Sequence, residues 1–234
     1  MSVRTPQAAA RLGADPMPAP WEPASRPRLW AVRVSAYAER AAAWESVLDA
    51  DELARCRTFV RSGDRDRYRV AHVALRRLLG AYLDQDPAAV HLIREPCPGC
   101  GETHGRPAVA GAPIHFSLAH AGDAVLLGFA DTPVGVDIEP EPAPDAAAEV
   151  ARMLHPTEEA EIAALPASER PAAVGRCWAR KEAYLKGVGI GLGEDPSVTR
   201  VGAGPEPAAV PGWSLTDVPV FPGHMAACAV RTRQ

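Results

Sequence analysis

Two carboxylates stand two residues apart in Gly135-Val136-Asp137-Ile138-Glu139-Pro140, a segment whose apolar alternation reads as a β-strand. Alternation sends Asp137 and Glu139 to one face and Val136 and Ile138 to the other. Adjacent carboxylates repel unless a positive charge lies between them. Mg²⁺ suits such a density of hard oxygens, because it keeps waters and shares phosphate oxygens with a substrate. Taken alone, the pair reads more simply as a solvated strand edge. Further along, Trp178-Ala-Arg-Lys181-Glu182-Ala-Tyr-Leu-Lys186 lies on a helical pattern. Trp178, Glu182 and Lys186 are four apart and share a face, and Glu182–Lys186 alone would be an ordinary helix ion pair. Together the two segments gain meaning. Glu182 would supply a third carboxylate for a cation held by Asp137 and Glu139, and Lys186 could reach a phosphate on that cation. Chemistry on a pyrophosphate needs a metal, a base and a charge-neutralising group.

The lysine usage points to the same place. Of 25 basic residues only Lys181 and Lys186 are lysines; the others are arginines. A planar guanidinium cannot replace a compact ammonium in a tight site, so two lysines in one helix mark that helix for chemistry.

These residues need elements to position them. Arg28–Ser35 alternates as a strand, 38–60 has helical patterning in two short pieces, and Arg65–Leu83 has apolar residues at helical spacing, with Arg67, Arg69, Arg76 and Arg77 on the other face. Strands are expected over 90–94, 114–118, 124–130 and 134–139, with a turn at Ala121-Gly122-Asp123. Helical patterning returns over 146–154, restarts at Pro156 and runs from Pro171 to Gly187, where Gly187, Gly189, Gly191 and Gly193 end it. Two or three strands follow between 197 and 231. Helix and strand are mixed without strict alternation, which gives an α+β class. Residues 1–26, rich in Ala, Pro and Arg, read as a flexible arm.

Composition narrows the function. A net charge of −4 argues against a nucleic-acid binder, but the charge is uneven. Eight arginines and two acids lie between Arg55 and Arg77, a stretch suited to anions; nine acids and a single arginine lie between Asp131 and Glu161. Five unevenly spaced cysteines are no secreted disulfide framework. No run approaches the ~18 apolar residues of a membrane span, and no signal-peptide core follows the N-terminus. The expected compartment is the cytoplasm.

The acidic strand and the lysine helix, in this order and 45 residues apart from Asp137 to Glu182, resemble the two signature motifs of the surfactin-type 4′-phosphopantetheinyl transferases, and the Gly187-Val-Gly-Ile-Gly-Leu192 tail matches too. The resemblance covers 28–231. It implies two similar α+β halves packed pseudo-symmetrically, with the active site in the cleft between them. Residues 27–131 would bind the phosphates of coenzyme A, and 132–234 would carry magnesium and the catalytic residues. The implied reaction moves the 4′-phosphopantetheine arm of coenzyme A to a serine of an apo acyl or peptidyl carrier protein and releases adenosine 3′,5′-bisphosphate. Mg²⁺ would sit on Asp137, Glu139 and Glu182, with Glu182 and Lys186 as catalytic groups.

The resemblance also assigns the phosphate contacts. Ser117 and His120 in Phe116-Ser-Leu-Ala-His-Ala-Gly-Asp123 match a Ser-x-Ser-His-Ser strand end whose histidine contacts phosphate, while Ala119 and Ala121 replace two serines. Gly105-Arg106-Pro107 matches Gly-Lys-Pro, so Arg106 would hold the 3′-phosphate. Arg55 and Arg67 match basic contacts, with Arg69 as the register alternative to Arg67. Lys186 and Lys181 join these contacts, or Lys181 pairs with a nearby acid. Each of these arginines and His120 has a structural reading as well, a solvated helix face or a satisfied histidine. Cys97-Pro-Gly-Cys100 lies outside the pattern. It resembles half a zinc knuckle that His104, His91 or Cys56 could complete, and a plain reduced turn is the preferred reading. A monomer is expected, with coenzyme A and carrier proteins as partners. The competing readings are a magnesium-dependent hydrolase of coenzyme A or a related nucleotide pyrophosphate, and a non-catalytic module built on zinc.

Overall fold

A strand, a group of helices and a two-stranded hairpin occur twice in chain order. After a short β1 (Ala10–Arg11) come β2 (Arg28–Arg33), the helices α1 (Val34–Ala43), α2 (Ala50–Thr58) and α3 (Ser62–Leu83), a small ribbon β3 (Leu92–Arg94) and β4 (Pro107–Val109), and the hairpin β5 (His115–Ala121) and β6 (Ala124–Ala130). The second set is β7 (Val134–Pro140), α4 (Pro144–Ala151), α5 (Pro156–Ala163), α6 (Arg170–Val188), β8 (Trp213–Asp217) and β9 (His224–Arg231). These assignments come from a computed structural model that describes residues 8–24, 26–103, 105–112, 114–190 and 193–233.

Each set builds the same sheet. The strand orders are β1-β2-β6-β5 and β7-β9-β8, so in both sheets the last strand of the set lies between the first and the second. The register is antiparallel throughout apart from the parallel β1 edge. The helices repeat a detail as well. Asp49 caps α2 in a capping box with Glu52, whose carboxylate also pairs with Arg76 of α3 at 2.5 Å. His155 caps α5 in a capping box with Glu158, which pairs with Lys181 of α6 at 2.7 Å. In both units a buried glutamate satisfies amides at a helix start and ties the short helix to a cation on the long one.

The sheets pack face to face with helices outside, in four layers. Trp30, Val32, Val125, Leu127 and Phe129 point outward onto α1 and α3. Leu29, Ala31, Ala124 and Leu126 point inward and meet Val134, Val136, Ile138, Ala226 and Cys228 of the other sheet. Beyond that sheet, Ala227 and Ala229 pack on Ala179 and Ala183 of α6. A strand covered on both faces must be apolar along its whole length, which is why β6 reads Ala-Val-Leu-Leu-Gly-Phe-Ala with every residue buried. The α+β class follows directly.

Three expectations change. The arm is docked where it is described: Ala10 and Arg11 pair with Trp30 and Ala31, Ala9 and Leu12 are buried, and Trp21 packs edge-on to Tyr82 while donating to Asp131. A two-residue strand carries no readable periodicity, so the sequence shows none. Arg76, expected on a polar helix face, is 1% exposed and held by Glu52, Asp49 and the Val90 carbonyl. The helix predicted from Arg65 begins at Ser62.

Candidate active site

α6 crosses β7 backbone against backbone at Gly135. A Cβ there would lie 1.9 Å from the Ala183 carbonyl oxygen and 2.3 Å from the Gly187 nitrogen, so the crossing requires glycine. Strand alternation puts Asp137 and Glu139 on the same face as Gly135, toward α6. Glu182 and Lys186 come from the turns of α6 that cross there. The Lys186 ammonium lies 2.5 Å from Asp137 Oδ1. Asp137 is only 2% exposed, and its other oxygen, Oδ2, is buried with no hydrogen-bond partner.

The three acids act on one another. Burial pushes the Asp137 carboxyl up, against the pull of Lys186. Burial, Asp137 and Glu182 together push Glu139 up to about 7, with Lys186 opposing. Burial and then Asp137 raise Glu182. One ammonium therefore serves three mutually repelling carboxylates. Among the described residues, no group of three or more His, Cys, Asp or Glu is already disposed to hold a metal ion. Asp137, Glu139 and Glu182 share a neighbourhood without forming a closed ligand set.

Beside them lies a cavity of about 560 Å³ that both units line. Lys186 and Gly189 come from the end of α6. His72 and Leu75 come from α3, Phe116, Ser117 and Leu118 from β5, and Arg106 and Pro107 from the segment entering β4. Ser117 joins the units, because its buried Oγ accepts the Val136 amide at 3.0 Å. Desolvation in this setting lowers His120, and the charges of Arg67, His72 and Lys186 lower it further. These four groups are thus close enough to repel, which is the electrostatic mark of a place made for an anion.

The remaining candidates are distributed less evenly. Arg67 pairs with Asp64 at 2.6 Å and reaches the Gly122 carbonyl in the β5–β6 turn. Arg106 lines the cavity, but its fork is engaged by Glu95 at 2.6 Å and by the Gly187 carbonyl at 2.6 Å. Arg55 is exposed on α2 with its guanidinium over Phe59, and it is not among the residues lining the cavity. Arg69 is held by Glu45 and Asp66.

Of the two roles expected for Lys181, the structure shows the pair with a nearby acid and not the phosphate contact. Lys181 is 2% exposed, pairs with Glu158 and donates to the Thr199 carbonyl, so its ammonium points into the second unit's interior, away from the cavity. A compact cation is needed there because Glu158 already accepts the Val201 and Gly202 amides and is itself fully buried.

The Cys97–Cys100 segment forms a tight turn closed by Gly101, and backbone amides of Cys100 and Gly99 lower the Cys97 thiol. His104, one candidate to complete a zinc site, lies outside the described residues, as do Gly191 and Leu192 of the glycine-rich tail. His72 and Glu52 were not expected at the site, although Glu52 stands three residues after Asp49 in the pattern of a capping box. The sequence signal for His72 is helical spacing, which sets it on the same face of α3 as Tyr68, Arg76 and the cavity-lining Leu75.

Comparison with known proteins agrees with this architecture. Residues 133–212 match the model of the 4′-phosphopantetheinyl transferase superfamily, a span that contains Asp137, Glu139, Glu182 and Lys186. The chain is 29% identical over 194 residues to the 4′-phosphopantetheinyl transferase HetI of Nostoc sp., covering 79% of each chain. It is 33% identical over 134 residues to psf-1 of Bacillus pumilus, covering 56% of this chain and 53% of that relative. It is 24% identical over 148 residues to Sfp of Bacillus subtilis, covering 63% of this chain and 62% of Sfp. With the acidic strand, the lysine helix and the cavity between two repeated units all in place, residues 133–212 carry the pattern of the 4′-phosphopantetheinyl transferase superfamily, and the chain is similar to its members beyond that segment.

Proposed function

We propose that this chain is a surfactin-type enzyme that transfers the 4′-phosphopantetheine arm of coenzyme A to a serine of an apo carrier protein. The observation that carries the reading is Lys186: its ammonium faces both the carboxylates on β7 and the cavity where a phosphate would lie. Coenzyme A would lie with its phosphates among Lys186, His120, Arg67 and Arg106. The first unit, 27–131, is the coenzyme-binding half, and 132–234 is the half that carries the reacting groups.

Magnesium fits the residues present. Asp137 offers a buried oxygen without a partner, and Glu139 and Glu182 offer oxygens that their neighbours make harder to ionise. A dication would relieve that repulsion, and Mg²⁺ needs only a few protein ligands because it keeps waters and takes phosphate oxygens. Asp137, Glu139 and Glu182 would hold it, and when bound it would neutralise charge on the pyrophosphate.

A serine hydroxyl is a weak nucleophile and needs a positioned base. Glu182 serves as that base. The serine oxygen bonds to the phosphorus next to pantetheine, its proton passes to Glu182, and the phosphoanhydride bond to adenosine 3′,5′-bisphosphate breaks. Lys186 and His120 stabilise the charge that develops on the leaving group. One chain supplies every group, so a monomer suffices, and the cytoplasm is where its substrates would be met. No helix among the described residues is long and apolar enough to cross a membrane.

The test combines the protein with coenzyme A, Mg²⁺ and an apo carrier. Transfer predicts a carrier mass gain of one phosphopantetheine. Free 4′-phosphopantetheine formed without carrier would instead support the hydrolase.

A further inference from the structure

His72 belongs to no motif, yet several observations converge on it. It sits on α3 in the wall of the cavity, opposite Lys186 of the other unit. Its Nδ1 is 3.0 Å from Glu52 Oε1. Although burial opposes it, the bonds from His72 and the Asp49 amide, together with the charge of Arg76, hold Glu52 below its ordinary pKa, so this partner is a carboxylate. A carboxylate can only accept, so the proton of the pair rests on Nδ1. The other Glu52 oxygen is taken by Arg76 at 2.5 Å and by the Asp49 amide at 3.0 Å. Tyr68 stacks on the imidazole at 4.1 Å between centroids and fixes its plane. The ring is thus held by its Nδ1 edge and its face, with Nε2 the one polar atom still available.

We propose that His72, oriented by Glu52 and Tyr68, is a binding residue whose Nε2–H donates to a phosphate of the nucleotide coenzyme. The proposal rests on the coenzyme A reading of the cavity. It adds a residue from the first unit that faces Lys186 of the second, so that the phosphates are held from two sides. With both ring nitrogens carrying protons, the imidazole donates to Glu52 through Nδ1 and to the phosphate through Nε2. This explains why a histidine on α3 keeps a buried acid as its partner.

The test measures binding of coenzyme A and of adenosine 3′,5′-bisphosphate by calorimetry, and transfer kinetics with an apo carrier, for wild type, His72→Ala and His72→Gln. Losing a hydrogen bond to a charged group predicts roughly tenfold or more weaker binding of both nucleotides by His72→Ala. KM for coenzyme A should rise with kcat nearly unchanged. His72→Gln, which keeps an N–H near the Nε2 position, should recover most of the loss. Binding by His72→Ala within about twofold of wild type, or a loss that His72→Gln fails to recover, would overturn the assignment. Wild-type protein that binds both nucleotides but leaves the carrier unmodified would sink the transferase reading instead, and the two failures are separately visible.

Discussion

Lys186 Nζ and Asp137 Oδ1 lie 2.5 Å apart although 49 residues separate them in the chain. The contact exists because Gly135 lets α6 lie directly on β7. The ammonium then shares its charge between a buried carboxylate and the cavity.

That sharing makes the lysine hard to replace. Lys186→Arg keeps the charge but spreads it over a planar fork that cannot present a compact ammonium to Asp137. Transfer should fall by about 10²-fold or more, as for other lost electrostatic contacts to a reacting group, and Lys186→Ala should be no better. Rates measured at saturating coenzyme A check this; normal turnover by Lys186→Arg would contradict the role given to the ammonium.

Asp137→Asn and Glu182→Gln preserve shape and remove charge. Both should lose nearly all transfer, by about 10²–10³-fold or more, while remaining folded by circular dichroism. Stabilisation of the wild type by Mg²⁺ in thermal melts should vanish in both. An active Glu182→Gln would exclude Glu182 as the base.

Glu139 gives a pH signature. Its folded-state pKa is raised from an ordinary carboxylate value to about 7, so the folded chain binds the proton more tightly than the unfolded chain does. Stability from this group is therefore present at low pH and is lost as pH rises from about 4.5 through about 7. Melting temperature without divalent cation should fall across that window. Glu139→Gln should flatten the trend, and so should added Mg²⁺. A wild-type melting curve indifferent to pH would show that the acids do not repel as described.

Lys181 predicts the opposite kind of effect. Removing one partner of a fully buried pair leaves Glu158 uncompensated, a cost of about 3–5 kcal/mol. Lys181→Ala should show a large drop in denaturant midpoint, while KM for coenzyme A in the folded fraction stays near wild type. A raised KM at unchanged stability would return Lys181 to the phosphate site.

Much of this was legible in the sequence because the signals are local. The continuous apolar run at 124–130 and the alternation around Asp137 each state which faces are covered. Lys181 was legible only as an open choice between a phosphate and a nearby acid. The helix pattern places two lysines in one segment, but their side chains leave opposite sides of α6, one toward Asp137 and one toward Glu158, and that depends on packing from α5. Arg76 escaped for the same reason, since its burial is set by Glu52 from another helix. His72 carries only its helical spacing with Tyr68 and Arg76, because its meaning comes from a partner 20 residues away.

The walls of the cavity come from both repeated units, with His72 and Ser117 on one side and Lys186 and Gly189 on the other. A nucleotide seated there works as a clasp: whatever free energy it gains on binding also opposes separation of the two sheets. Coenzyme A should therefore slow proteolysis and hydrogen exchange in segments it never touches, such as the docked N-terminal strand and the last strand of the chain.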